Sequence, residues 1–383
     1  MPHTQLNVNT CQFFGNETNH DSAIIGIHSD MYVSNSTFQN FGAGAIFTCA
    51  KPQQEVIIQD STISDCSVVG VFCSGEGTRQ CVQRMTITNV EGPGVKVGKG
   101  NKSKIKGNTI TLCQNAIDCV SNQANIIMNT CNQNYENGIR TIAKKGIRCD
   151  TIVQFNTCLK NKEHGVFCTG AQNWSRVDKN CNLSQNGRTG VCAADGASIY
   201  ICNNRIESNF AQGILLIEST YAYIEKNHLS KNFKANIAYG GSKACDTVII
   251  NNRIERSRAE GIFAIESGYA WIIKNKIIEN ADGILIYDSS PNIDNNDISE
   301  NTRSGITCCG ASYPHIVRNK IYGHTQSGLN MRDNSKGLVY SNEIYSNFYQ
   351  ISTRAYKKEE INEMLETNEI RGENEFSANC VIF

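Results

Sequence analysis

The stretch Asn204-Arg205-Ile206-Glu207-Ser208-Asn209-Phe210-Ala211-Gln212-Gly213-Ile214 decides the fold, because its frame returns along the chain. That frame is an Asn, one residue, an aliphatic residue, two or three polar residues, a second Asn, and a Gly followed by Ile or Val. It recurs as Asn227-His228-Leu229 to Asn236-Ile237, Asn252-Arg253-Ile254 to Gly261-Ile262 and Asn275-Lys276-Ile277 to Gly283-Ile284. It continues as Asn296-Asp297-Ile298 to Gly305-Ile306, Asn319-Lys320-Ile321 to Gly328-Leu329 and Asn342-Glu343-Ile344 to Gln350-Ile351. From Asn204 the leading Asn returns after 23, 25, 23, 21, 23 and 23 residues. A fixed period of this size marks a solenoid, a propeller or an array.

Short β-rich runs such as Tyr221 to Ile224 and Trp271 to Ile273 are bounded by Asn, Gly and Ser, and nothing shows helical spacing. Helical solenoids are thereby excluded. A leucine-rich repeat would keep Leu at fixed positions, and a propeller blade needs nearly twice this period. What remains is an all-β chain wound as a parallel β-helix. Each coil is a triangle of three short strands, and each strand pairs with its equivalent about 4.8 Å along the axis. Like residues then stack on like residues. A column of Asn forms a ladder, since the amide carries donor and acceptor and tolerates left-handed backbone. The Gly suits a corner that wants positive φ or close backbone approach.

The first half keeps the beat more loosely, with Gly70-Val71, Gly94-Val95, Ala116-Ile117, Gly138-Ile139, Gly165-Val166 and Gly190-Val191, and with Asn108, Asn129 and Asn156 in the ladder position. We expect about 14–15 coils over residues 1–352, forming one elongated domain on the order of 70 Å long. Residues 353–383 form a cap and tail, in which Tyr356 to Asn368 reads as a short amphipathic helix with Ile361, Met364 and Leu365 on one face. At the other end the repeat starts almost at once, at Val8-Asn9-Thr10-Cys11. A bare terminal coil exposes unpaired strand edges, so the expectation there is a longer protein or a covering partner.

Equal counts of acids and bases, 36 each, argue against a nucleic-acid-binding or polybasic membrane surface. No apolar run approaches a membrane span of roughly 20 residues, and Met1 to His20 lacks the pattern of a signal peptide. The 18 cysteines resemble a disulfide framework at first sight, but Cys11, Cys131 and Cys158 occupy the place of the repeat Ile, and Cys168 and Cys308 follow the corner Gly. They read as small apolar core residues. With no Cys-x-x-Cys pair, no metal and no other cofactor is expected. A reducing, cytoplasmic setting, including one associated with the cytoskeleton, is the expected compartment.

The Asn-x-Ile-x-x-Asn phrase with its Gly-Ile, and turns such as Asp288-Ser289-Ser290-Pro291-Asn292-Ile293 and Ala311-Ser312-Tyr313-Pro314-His315-Ile316, resemble the right-handed β-helix repeats of the carbohydrate-binding and sugar-hydrolase type. The nearest resemblance is to intracellular members, the β-helical region of certain F-box proteins and the Shc SH2-domain-binding proteins. It covers residues 100–352 well and 5–100 loosely. It implies a right-handed winding, and it records stacking geometry more than chemistry.

Two functional readings follow. Enzymes of this architecture gather carboxylates on an outer face, and here the fifth residue after the corner Gly is often acidic: Asp195, Glu218, Glu266, Asp288 and Asp333. These positions neighbour Ser or Gly and share a column with Gly241 and Gly310, which favours a turn over catalysis. The Gly-His-Gly and Asn-Thr-Asp motifs of polygalacturonases and the Arg-x-Pro-x-x-Arg motif of pectate lyases are absent, and His164 and His324 stand alone, the latter in place of a ladder Asn. The better surface signal is a column of Tyr200, Tyr223, Val248, Trp271, Asn292 and His315, next to an unbroken aliphatic column. By the period of two it points outward, and Tyr221, Tyr269 and Tyr313 share its face. Exposed aromatics mark a recognition surface or a sugar-stacking platform. The preferred expectation is a non-catalytic intracellular scaffold, contacting protein partners through this face and the N-terminal coil. The alternative is a carbohydrate-active enzyme or polysaccharide-binding module.

Overall fold

Each coil turns at backbone that L-residues seldom adopt. The computed structural model describes residues 4–376 apart from 17, 19, 121, 145, 219–220, 242–245, 267–268, 354–355 and 374. In it the residue before each ladder Asn is left-handed: Lys226 has φ 53°, Asn251 55°, Lys274 53°, Asn295 55° and Arg318 54°. The left-handed position therefore lies one residue earlier than the sequence reading put it. The bend leaves the ladder Asn itself with its amide directed inward, and the side chain of the left-handed residue is free to face out.

The chain divides into two compact units, Met1–Tyr200 and Ile201–Phe383. In the second unit a representative coil runs through Tyr221–Glu225, His228–Ser230 and Ile237–Gly240, one strand on each of three parallel sheets. On the first sheet Ile224, Ile249, Ile272, Ile293 and Ile316 pair in register and are fully buried. The second sheet stacks Ile206, Leu229, Ile254, Ile277, Ile298, Ile321 and Ile344, and the third stacks Ile214, Ile237, Ile262, Ile284, Ile306 and Leu329. These three columns are the core. Truncating one such Ile to Ala costs roughly 2–5 kcal/mol.

Between the first and second sheets runs the expected amide ladder. Asn227 donates from its backbone N and its Nδ2 to Asn252 Oδ1, at 2.9 and 3.0 Å, while Nδ2 also reaches the carbonyl of Ile201. The pattern repeats through Asn275, Asn296, Asn319, Asn342 and Asn368. A second ladder follows the second sheet, with His324 accepting at Nδ1 from the Asn301 N–H and facing the Ile298 carbonyl through Nε2. The corner glycines serve close approach. A Cβ on Gly261 would lie 2.6 Å from the Gly283 carbonyl oxygen and 3.0 Å from Asn280 Nδ2.

In the first unit the same three sheets form, with ladder rungs Asn108, Asn129 and Asn156. The rungs stop at Cys181, whose Sγ accepts from the Asn156 N–H. Cys131, Cys158 and Cys168 are fully buried in the core, and Cys11 is half-buried. Together the units hold about fifteen coils by first-sheet strands. Among the described residues the single α-helix is Lys358–Thr367, slightly shorter than expected. It is set within a coil: Asn368 and the strand Glu369–Arg371 follow it and continue the ladder and the second sheet.

Candidate functional site

The first sheet of the second unit places most of the anticipated aromatics on one outer face. Tyr221 is 36% exposed, Tyr269 71%, Trp271 49% and Tyr313 48%; His315 is exposed and Tyr223 half-buried. Strand register puts Tyr223, Val248, Trp271, Asn292, His315 and Leu338 in one column. Tyr313 meets His315 edge-on at 6.4 Å. Tyr200 belongs to the first unit, where it is half-buried with the Arg176 guanidinium 4.6 Å above its ring.

The acidic stripe takes left-handed corners between the third and first sheets: Asp195 has φ 55°, Glu218 50°, Glu266 43°, Asp288 47° and Asp333 54°, in a column with Gly241 and Gly310, also at positive φ. Their carboxylates tie coils together. Asp288 Oδ1 accepts from the Ala311 N–H at 2.7 Å, Asp333 Oδ2 from the Gly310 N–H at 3.0 Å, and Asp195 Oδ2 from the Thr169 hydroxyl at 2.6 Å. Ser219 and Ser267, beside Glu218 and Glu266, lie outside the described residues.

The arrangement that the sequence reading missed is on the second sheet of the second unit. There Arg205, His228 and Arg253 face outward on three successive coils, and Glu207, Ser230 and Glu255 stand beside them. His228 Nε2 lies 3.0 Å from Glu255 Oε1, and Nδ1 lies 3.7 Å from Glu207 Oε1. Glu255 is nearly buried, its side chain 8% exposed against 42% for His228. Burial would lift the Glu255 carboxyl, but hydrogen bonds from His228 and Arg253 outweigh it and hold the group below the usual carboxylate range. Glu207 is lowered in the same sense, its Arg205 contacts overcoming desolvation. The result is an open imidazole braced by two ionised carboxylates, an arrangement suited to accepting and returning a proton. Period-two reading of the residues flanking each ladder-phrase Ile puts them on an outer face, and the strand register is what brings Glu207 and Glu255 to His228.

Two family models match this chain. One, described as "Right handed beta helix region", matches residues 2–152; the other, described as "Periplasmic copper-binding protein (NosD)", matches 152–293 and 223–374. Among solved structures, the mannuronan C-5 epimerase AlgE4 A-module of Azotobacter vinelandii is 12% identical, covering 88% of this chain and 91% of that one, with a TM-score of 0.54. A mutant of the periplasmic alginate epimerase AlgG is 12% identical, covering 79% of this chain and 76% of that one, with a TM-score of 0.50. At such identity the likeness concerns the fold, and the right-handed winding rests on the family match. No curated protein matches the chain.

These findings correct two expectations. The repeat family is supported, and the finer placement beside F-box and Shc SH2-domain-binding proteins is not. The non-catalytic intracellular scaffold is not supported: the solved structures that share this fold are, by their titles, alginate epimerases. The error has a physical origin: ladder and corner residues record stacking, which unrelated functions share. Copper is printed in one family's description; among the described residues no group of three or more His, Cys, Asp or Glu side chains is placed to hold a metal ion. Nor is any helix of the described residues long and apolar enough to cross a membrane.

Proposed function

We propose, from the premise that this chain belongs to the right-handed β-helix repeat family, that it is a polysaccharide-binding β-helix of the carbohydrate-active kind. It holds a linear glycan against the first sheet of its second unit. One observation carries this: Tyr221 and Trp271 stand exposed on parallel strands whose register is fixed by a fully buried Ile column, and Tyr269 and Tyr313 stand exposed just before such strands. A sugar ring has an apolar C–H face and a hydroxylated rim, so an aromatic face covers the one while water keeps the other. Rigid strands hold the rings in place before the ligand arrives, which limits the entropy lost on binding. The test is a polysaccharide panel read by affinity electrophoresis, a readout that does not depend on the rings being replaced. The wild type is expected to bind at least one linear glycan, and Trp271→Ala with Tyr269→Ala to lose it while the thermal melt stays put. Absence of binding across neutral and acidic glycans would refute the reading.

A second reading concerns chemistry at His228. Its bracing by Glu207 and Glu255 supports proton transfer to a glycan held on the second sheet, as an epimerase or lyase requires. In that case His228→Gln abolishes turnover and leaves glycan affinity within about twofold; turnover by the variant at the wild-type rate would remove His228 from the reaction.

A further inference from the structure

The platform is not uniform along the axis. In the second unit, coils alternate. Tyr221 and Tyr223 share one coil, Tyr269 and Trp271 the next but one, and Tyr313 and His315 the next but one again. The coils between them present Asp246 with Val248 and Ser290 with Asn292 at the same two positions. The corner residue beyond each strand follows the same alternation. Lys226, Lys274 and Arg318 close the aromatic coils, while Asn251 and Asn295 close the intervening ones, all in left-handed backbone. The three cations are exposed. Lys226 lies 3.2 Å from Glu225, and Arg318 grips Asp294 with two hydrogen bonds. Thus a pair of aromatic or imidazole rings with a cation at its edge recurs every second coil, about 9.6 Å apart.

We infer that the ligand of this platform is an extended anionic glycan with a two-sugar repeat, the flat ribbon in which each pyranose is turned over relative to the last. The inference rests on the carbohydrate reading above and deepens it. One coil step is about the length of one extended sugar unit, so a two-coil period matches a ribbon that shows the same ring face only at every second sugar. The same alternation brings a carboxylate to one edge of the ribbon once per repeat, where Lys226, Lys274 and Arg318 stand. Lys226 and Arg318 already have Glu225 and Asp294 beside them, so the cation a neutral ribbon would leave unmatched is Lys274, which makes no ion pair among the described residues. A coiled polyanion would match the charge and miss the rings. Because the corner cations are exposed, their contribution is to be screened by salt over a Debye length near 10 Å at 0.1 M, whereas the ring contacts are not.

The test uses the full chain and three soluble polymers: carboxymethyl cellulose as an acidic ribbon, hydroxyethyl cellulose as a neutral ribbon and dextran sulfate as an acidic polymer without the ribbon form. Carboxymethyl cellulose is expected to bind most tightly and to weaken with added salt, and Lys274→Gln to weaken it several-fold. The spacing is tested by exchanging two outward residues of one column, Trp271→Asn with Asn292→Trp, which keeps composition and moves the ring by one coil. The exchange should weaken binding about tenfold, a loss of 1.4 kcal/mol, with an unchanged melt. Undiminished binding by the exchanged protein overturns the two-sugar match, and equal affinity for the neutral ribbon overturns the anionic part. Preference for dextran sulfate overturns both. In each of these cases Trp271-dependent binding of some glycan leaves the broader function standing; only loss of all glycan binding removes that function as well.

Discussion

At the scale of single residues the fold contains a coupled exception. Asn236 occupies a corner where Gly213, Gly261, Gly283 and Gly305 stand in neighbouring coils, and Ser257 occupies the next rung of the second ladder. Elsewhere the corner Cβ and the next rung compete for space: a Cβ on Gly213 would lie 2.7 Å from Asn232 Nδ2. The smaller Ser257 frees that volume, and the Asn236 amide fills it, accepting from Asn232 Nδ2 at 2.7 Å and donating to Asn280 Oδ1 at 3.1 Å. Asn236→Gly or Ser257→Asn alone should each cost roughly 1–3 kcal/mol, through an unmade hydrogen bond or overpacking. The double variant, which restores the regular corner and rung, should melt near the wild type; additive losses would show the two sites to be independent. His324 is a second exception. Burial lowers its pKa to about 4, as it does for His164, where Arg188 adds to the effect. A neutral imidazole in the folded state and an ordinary one in the unfolded state mean that the unfolded chain takes up more protons below pH 6.5. Stability is therefore intact above about 6.5 and falls with pH down to about 4, by on the order of 3 kcal/mol per site. His324→Asn should leave the neutral melt almost unchanged and flatten this acid limb, measured by urea unfolding from pH 7 to 4.

At the scale of elements, what could be read from the chain was whatever the stack repeats. The Ile columns and the amide ladder were legible because every coil votes for the same position, and the helix because Ile361, Met364 and Leu365 recur with helical spacing. Left-handed corners were harder to place: once the side chain faces water, Lys226, Arg318 or Glu279 serves as readily as Asn, so residue type carries little signal. The His228 cluster was hidden for a different reason. Arg, Glu and His beside a ladder Ile look like ordinary solvated positions, and only the register sets Glu207 and Glu255 on either side of one imidazole. The helix shows what a single element contributes. Ile361 and Met364 are buried, and Asn368 donates to the Met364 and Val339 carbonyls, so the ladder also closes the helix C-terminus. Met364→Asp would bury an unpaired carboxylate against the last first-sheet strand, Leu338–Tyr340. Local unfolding of the helix is expected, seen as lost amide protection in residues 358–367, while protection in Ile224 and Ile249 persists; unaltered protection in the helix would show it to be independent of that contact.

At the scale of the whole molecule, the cysteines set its chemical character. No disulfide joins any of the sixteen described cysteines, of which twelve are buried and Cys11, Cys49, Cys81 and Cys309 partly exposed. Desolvation pushes the thiols of Cys73, Cys168 and Cys181 up to about 12, far from the thiolate that reacts. In the native protein a colorimetric thiol reagent at pH 8 should titrate the partly exposed group, and the buried twelve should follow only on denaturation, with the melt indifferent to reductant. Rapid reaction of most of the thiols would contradict the packing described.

A stack of near-identical turns has no intrinsic length, and any open end is a template for the next chain's strands. The helix Lys358–Thr367 lies against Leu338–Tyr340 where another first-sheet strand would add, while the second and third sheets each gain one more strand, Glu369–Arg371 and Glu375–Phe376. At this level a further strand could pair on two of the three sheets, while the helix occupies the place beside Leu338–Tyr340, so the coil is closed on one side only.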